Sequence, residues 1–207
     1  EITTKKASKA IGFSWGISEE VGKNIRLLEM FGLPGLKNLN QYYKIYKISN
    51  FENINEISSI NNPKNYYCPI LAGLNFLDQS PSLSKFNEIE INKIAFPVIF
   101  ISFISRVSEI IGKRIFLKMD DKEFLFNFNE SIYSNYLSGD VLEKSDNLKI
   151  KFFITKNPFC VEENILATDV LKQMNKRQIT NVCVFKRGNK RKTVGVIHIH
   201  DLIKNLK

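Results

Sequence analysis

G-V-I-H-I-H-D-L-I-K, running from Gly195 to Lys204, is the stretch on which the reading of this chain turns. Its first half alternates apolar and polar residues like a strand, and its second half begins a helix at Asp201. A carboxylate delivered where strand becomes helix can be joined by backbone amides to hold a ribose or phosphate group. The same Asp201 has a plainer use as the N-cap of the last helix, and the two uses are compatible. Along the strand, His198 and His200 are two apart and are expected to share one face, with Ile197 and Ile199 on the other.

Working back from this motif, a compact pattern emerges. A short strand is expected around Phe159–Val161, then a helix over Ile165–Arg177 with Ala167, Val170, Leu171 and Met174 on one face. Strands follow at Asn181–Phe185 and Thr193–Ile199, joined by the basic run Lys186-Arg187-Gly188-Asn189-Lys190-Arg191-Lys192, and a last helix spans Asp201–Leu206. That is β-α-β-β-α in about fifty residues, a size that rarely buries enough apolar area alone. Asn157-Pro158 breaks any element running into it, so a boundary is expected near Thr155–Pro158.

Ahead of that boundary the signals differ. Ile17, Val21, Ile25 and Leu28 recur at helical spacing, with Ser18 as the expected cap and Glu19 and Glu20 suiting the helix dipole. Gly32, Pro34 and Gly35 stop this helix, and another starts at Leu36. Residues 49–64 carry no period and read as loop. The apolar run Ile91–Ile111 reads as a buried helix; its core is about half the length of a bilayer span and is interrupted by Pro97 and Ser102. Arg114–Met119 and Glu123–Phe128 form an expected hairpin around Asp120-Asp121-Lys122, and Leu148–Ile154 a further strand.

Charge is concentrated at the C-terminal end. Of the net +9, residues 156–207 hold +7, with 11 Lys/Arg against 4 Asp/Glu. The basic run is either a solvated hairpin loop or a positive rim for phosphates. No aromatic residue interrupts it, so a base-stacking surface is not indicated and nucleic acid is an unlikely partner. Three cysteines (Cys68, Cys160, Cys183) and two histidines give little material for a disulfide framework, a metal site or a Ser-His-Asp triad. Reduced thiols and a cytoplasmic location are expected, with Cys160 and Cys183 in the core. The chain begins at Glu1 without Met, and the native start is expected to lie upstream.

The C-terminal motifs together resemble a CBS domain, the β-α-β-β-α repeat that usually pairs to bind adenosine nucleotides. The matching elements are Asn157-Pro158, the A-x-x-V-L-x-x-M helix from Ala167 to Met174, Ile179-Thr180 and G-V-I-H-I-H-D-L at Gly195–Leu202. The wording is most similar to the last CBS repeat of arabinose-5-phosphate isomerases. The resemblance implies a cofactor-binding role for Asp201, His198 and Thr180, with no cofactor required and an adenosine nucleotide or sugar phosphate as ligand. His198 stands where the general pattern places Ser or Thr, as in the isomerase-type repeats. A CBS cleft is normally shared by two repeats, so a homodimer or another partner is implied, and no membrane. The isomerase's sugar-binding domain has no counterpart here, so isomerase activity is not implied.

The segment Gly12, Trp15, Gly16, Glu19, Glu20, Gly22, Lys23, with Cys68-Pro69-Ile70, resembles an uncharacterised bacterial domain-of-unknown-function family over roughly residues 1–150. Catalytic residues there are unknown. Glu19, Glu20 and Cys68 are candidates for acid–base or nucleophilic chemistry beside Trp15; the alternative is a helix entry with Trp15 in the core and a buried structural thiol. Gly16-x5-Gly22-Lys23 lacks the spacing of a phosphate loop.

The expected architecture is α+β: a helical N-terminal region with a small sheet in an uncharacterised domain 1–154, then a single CBS-type repeat at 155–207. It could serve as a regulatory or dimerising module, as an adjunct to an unrecognised enzyme, or as a purely structural fusion.

Overall fold

A computed structural model describes the chain except residues 48, 84, 128–130, 137–138, 154–158, 178 and 206–207, and leaves the side chains of 131, 190–192 and 205 undescribed. The fold is α+β, and it divides into two compact units, Glu1–Ile154 and Thr155–Lys207. Asn157-Pro158, on which the expected boundary rested, lies outside the described residues.

The first unit begins with three helices, α1 (Ile2–Ile11), α2 (Trp15–Met30) and α3 (Gly35–Tyr46). Ser14 caps α2, its side chain accepting from the Ile17 N–H at 3.3 Å. Ser18, the expected cap, instead lies a turn inside the helix on its buried stripe with Val21, Gly22, Ile25 and Leu28. Residues 49–64 are mostly irregular, as read, except for β1 (Ile60–Asn61). Then come α4 (Pro69–Asp78), the single turn α5 (Ser80–Leu83), β2 (Glu88–Ile91) and β3 (Ile94–Ala95). The long apolar helix α6 is shorter than expected, Pro97–Ile111. Lys93 and Phe96 have positive φ of 56° and 41°, which interrupts helix before Pro97 takes the first helical position.

The remaining strands are β4 (Arg114–Met119), β5 (Lys122–Asn127), β6 (Ser131–Ser134), β7 (Lys144–Ser145) and β8 (Leu148–Phe153). The expected hairpin is β4–β5, with Asp120 at φ 54° in its two-residue turn. The six-stranded sheet runs β1-β2-β8-β4-β5-β6, antiparallel except for β1 against β2, while β3 and β7 pair separately. Register places Ile89, Ile150, Leu117 and Phe124 side by side across four strands, all fully buried. On the other face Glu90 lies opposite Lys149 at 2.7 Å and Glu88 opposite Lys151 at 2.9 Å. This is the alternation expected of an antiparallel sheet with one wet side.

Helix α6 is the centre of the unit. It packs on α2, α3 and α4 and on the sheet through β4 and β5. An ion pair ties α6 to α2: Arg106 Nη1 lies 2.6 Å from Glu20 Oε2, both side chains half-buried. Burial works to raise the Glu20 carboxyl, but hydrogen bonds from Arg106 and Lys23 outweigh it and hold it below its ordinary value. A depressed folded value contributes stability above the unfolded value near 4.5, and that contribution is lost as pH falls through the folded value. Glu20→Gln is therefore expected to cost about 1–2 kcal/mol at neutral pH, between exposed and fully buried pairs. In urea titrations the gap from wild type should narrow as the pH falls below the ordinary carboxylate value and through the lowered folded one; a gap independent of pH would contradict this assignment. Among the described residues no helix is long and apolar enough to cross a membrane.

The second unit contains β9 (Cys160–Glu162), α7 (Ala167–Arg177), β10 (Asn181–Lys186), β11 (Asn189–His198) and α8 (Ile199–Asn205). Its sheet is ordered β11-β10-β9, with β9 parallel and β11 antiparallel to the central strand. Val161, Val182 and Val184 from the strands, Val170 and Met174 from α7 and Leu202 from α8 form its core. Both helices thus cover one face. The other carries Cys160, Cys183 and Val196 in one register row, with Val194 and Val196 exposed. Cys160 is exposed and Cys183 half-buried, so neither belongs to the core as expected. Alternation put both on the face the helices leave uncovered.

Candidate functional site

The strand-to-helix corner of the second unit gathers the three residues singled out from sequence. Asn181 at the start of β10 pairs with His198 at the end of β11. One residue further, the Ile199 N–H donates to the Thr180 carbonyl at 2.9 Å, which fixes where β11 ends. The Thr180 hydroxyl accepts from Asn181 Nδ2 at 3.4 Å. Thr180 and His198 therefore meet on neighbouring strand ends, and Asp201 follows in the first turn of α8, exposed to solvent.

Two expectations about this corner need correction. Helix α8 starts at Ile199 rather than Asp201, so Asp201 is not the N-cap; it occupies the third helical position. His198 takes the cap position, its Nδ1 accepting from the His200 N–H at 3.3 Å. His200 is consequently a helical residue, not a strand residue two along from His198. The two rings still meet, stacked with centroids 5.0 Å apart, because the cap folds them together. Ile197 and Ile199 do both pack on the small core.

The basic run does not reach this corner. It forms the β10–β11 turn, where Gly188 has φ 74° and Lys186 pairs with Asn189. That is five residues along β10 from Asn181, or roughly 16 Å at about 3.3 Å per residue. The Arg187 N–H is held by Glu163 Oε1 at 3.3 Å. The corner and the basic turn therefore lie at opposite ends of the β10–β11 ladder. Among the described residues no group of three or more His, Cys, Asp or Glu is placed to hold a metal ion.

In the first unit the candidates disperse. Glu19 is engaged by Lys5 at 3.1 Å and Lys23 at 3.2 Å, and the hydrogen bond from Lys5, then that from Lys23, lowers its carboxyl. Glu20 is committed to Arg106 and Lys23. Two carboxylates held ionised by cations make poor general acids or bases near neutrality. Trp15 is 58% exposed instead of packed in the core, with the Lys9 and Lys5 ammonium groups 5.6 and 5.9 Å from its ring. Cys68 is fully buried; its Sγ lies 2.9 Å from the Tyr42 hydroxyl and caps α4 by accepting from the Leu71 N–H. Burial pushes the thiol up, the opposite of an activated nucleophile. A pocket of about 340 Å³ is lined by Phe51, Asn65, Tyr66, Glu143 and Lys144 among others, and does not include Trp15, Glu19, Glu20 or Cys68.

Comparison with known families divides along the same lines. Residues 150–207 match the family model of the CBS domain. The second unit is a CBS domain. Its β-α-β-β-α order and the corner built by Thr180, His198 and Asp201 belong to that repeat. Residues 1–68 match a family described as a protein of unknown function (DUF3726). This covers α1 to α3 and β1 and stops at Cys68, short of the expected reach to about residue 150; the other strands of the sheet and α6 lie outside it. No curated protein and no solved structure matches the chain.

Proposed function

We propose that the CBS repeat is a regulatory and dimerising module that binds the sugar of an adenosine nucleotide or of a sugar phosphate at the Thr180–His198–Asp201 corner. The observation that carries the reading is the hydrogen bond from the Ile199 N–H to the Thr180 carbonyl, which brings these residues together inside the matched repeat. Asp201 is exposed in the first turn of α8 and can accept hydrogen bonds from vicinal hydroxyls. His198 and Thr180 flank it from the two strand ends. A second repeat, from a twin chain, would complete the cleft.

The test is titration of the full chain with AMP, ADP, ATP and pentose phosphates, followed by calorimetry and by light scattering. At least one compound is expected to bind, and Asp201→Ala to weaken it by about ten- to a hundredfold, the worth of a hydrogen bond to a charged group. No binding by any of them, with an unchanged profile for Asp201→Ala, would reject the reading. The enzyme alternative loses its basis in Glu19, Glu20 and Cys68, since salt bridges engage the first two and burial the third.

A further inference from the structure

Two cysteines that are far apart in sequence meet on the open face of the second unit. Cys160 of β9 and Cys183 of β10 are direct register partners in a parallel pair. Adjacent strands lie about 4.8 Å apart, within the Cα separation a disulfide spans, and partners in register project to the same side. The thiols are within hydrogen-bonding reach of each other. Neither is needed for packing, because the core of this unit is made by Val161, Val182 and Val184 on the opposite face. Cys160 is exposed, so a solute reaches it directly, while Cys183 is half-buried beside it.

We propose that Cys160 and Cys183 form an oxidisable dithiol site whose co-reactant is a peroxide. The Cys160 thiolate attacks the peroxide: an S–O bond forms, the O–O bond breaks, and the departing hydroxide takes the thiol's proton to become water. Cys183 then attacks the Cys160 sulfur, forming the S–S bond as the S–O bond breaks. The second hydroxide leaves with the Cys183 proton as water. Two thiols and one hydrogen peroxide give one disulfide and two waters, with two electrons passing from sulfur to oxygen. The order follows from access and from proton affinity. Burial, then the negative charge of Cys160 and the hydrogen bond to it, push the Cys183 thiol up, so Cys183 keeps its proton while its neighbour reacts. The product closes a loop around α7 and ties β9 to β10. Cys68 takes no part, being buried in the other unit.

The test uses the reduced full chain treated with stoichiometric hydrogen peroxide, then alkylated and mapped by mass spectrometry without reductant. A Cys160–Cys183 linked peptide is expected, reversible by dithiothreitol, with Cys68 alkylated as in the untreated protein. Oxidation should raise the melting midpoint of the second unit by several degrees. In Cys183→Ser the reaction should stop at a Cys160 sulfenic acid that dimedone traps, and in Cys160→Ser no link should form. Overturning results are Cys160 and Cys183 both alkylated after a treatment that oxidises Cys160 in Cys183→Ser, or a Cys160 bond to a second chain in place of the internal one.

Discussion

Met174→Ala is expected to unfold the second unit while leaving the first folded. Met174 is fully buried on α7, and its carbonyl accepts from the Ile179 N–H at 3.0 Å as the chain turns towards β10. Only six buried apolar side chains form this core among the described residues, so each carries a large share of it. Truncating a buried Met to Ala costs about 2–5 kcal/mol through lost transfer energy and the cavity left behind. A unit of this size rarely holds more than about 3–5 kcal/mol of stability, so the loss is comparable to the whole. Native-state hydrogen exchange should show amides of α7 and β10 losing protection while those of α6 and β8 keep theirs. Lys172→Ala, on the exposed side of the same helix, should leave both units unchanged. Equal protection in wild type and Met174→Ala would mean that this cluster does not hold the unit together.

The CBS unit was legible because its signals are local and ordered. The A-x-x-V-L-x-x-M spacing places Val170 and Met174 four apart on α7, and both are buried. The alternation in β4 and β5 was equally plain, and their burial follows it residue by residue. Illegible features were set by contacts from elsewhere in the chain. In V-I-H-I-H no local signal marks where strand gives way to helix; the Thr180 carbonyl decides it by binding the Ile199 N–H. The six-stranded sheet is larger than expected because β1 and β6 are only two and four residues long and pair only through tertiary register. E-I-E-I at 88–91 carries a strand period, but it is four residues long and its last residue, Ile91, opens the apolar run expected as helix. The Cys160–Cys183 pairing depends on β9 and β10 being parallel neighbours, which no spacing reveals.

Gly73→Ala should destabilise the first unit by about 2 kcal/mol, against the helix propensity of the two residues. Gly73 lies in α4, where Ala would be favoured by about 1 kcal/mol if only the backbone mattered. A Cβ at this position, however, would sit 2.3 Å from the Phe103 ring of α6. The ring is fully buried and packed, so it cannot swing into solvent to make room. Overpacking of this kind costs about 1–3 kcal/mol, sometimes more, and the severity of the overlap puts it at the upper end. The missing side chain is thus what lets α4 and α6 approach each other. Phe103→Ala alone should cost about 3–5 kcal/mol by opening a cavity. In the double variant the new methyl meets no ring, so the combined loss should fall short of the sum by about 1–3 kcal/mol. Urea unfolding of the four proteins measures this coupling directly. Strict additivity, or a Gly73→Ala variant more stable than wild type, would show that the contact between the two helices is looser than its geometry requires.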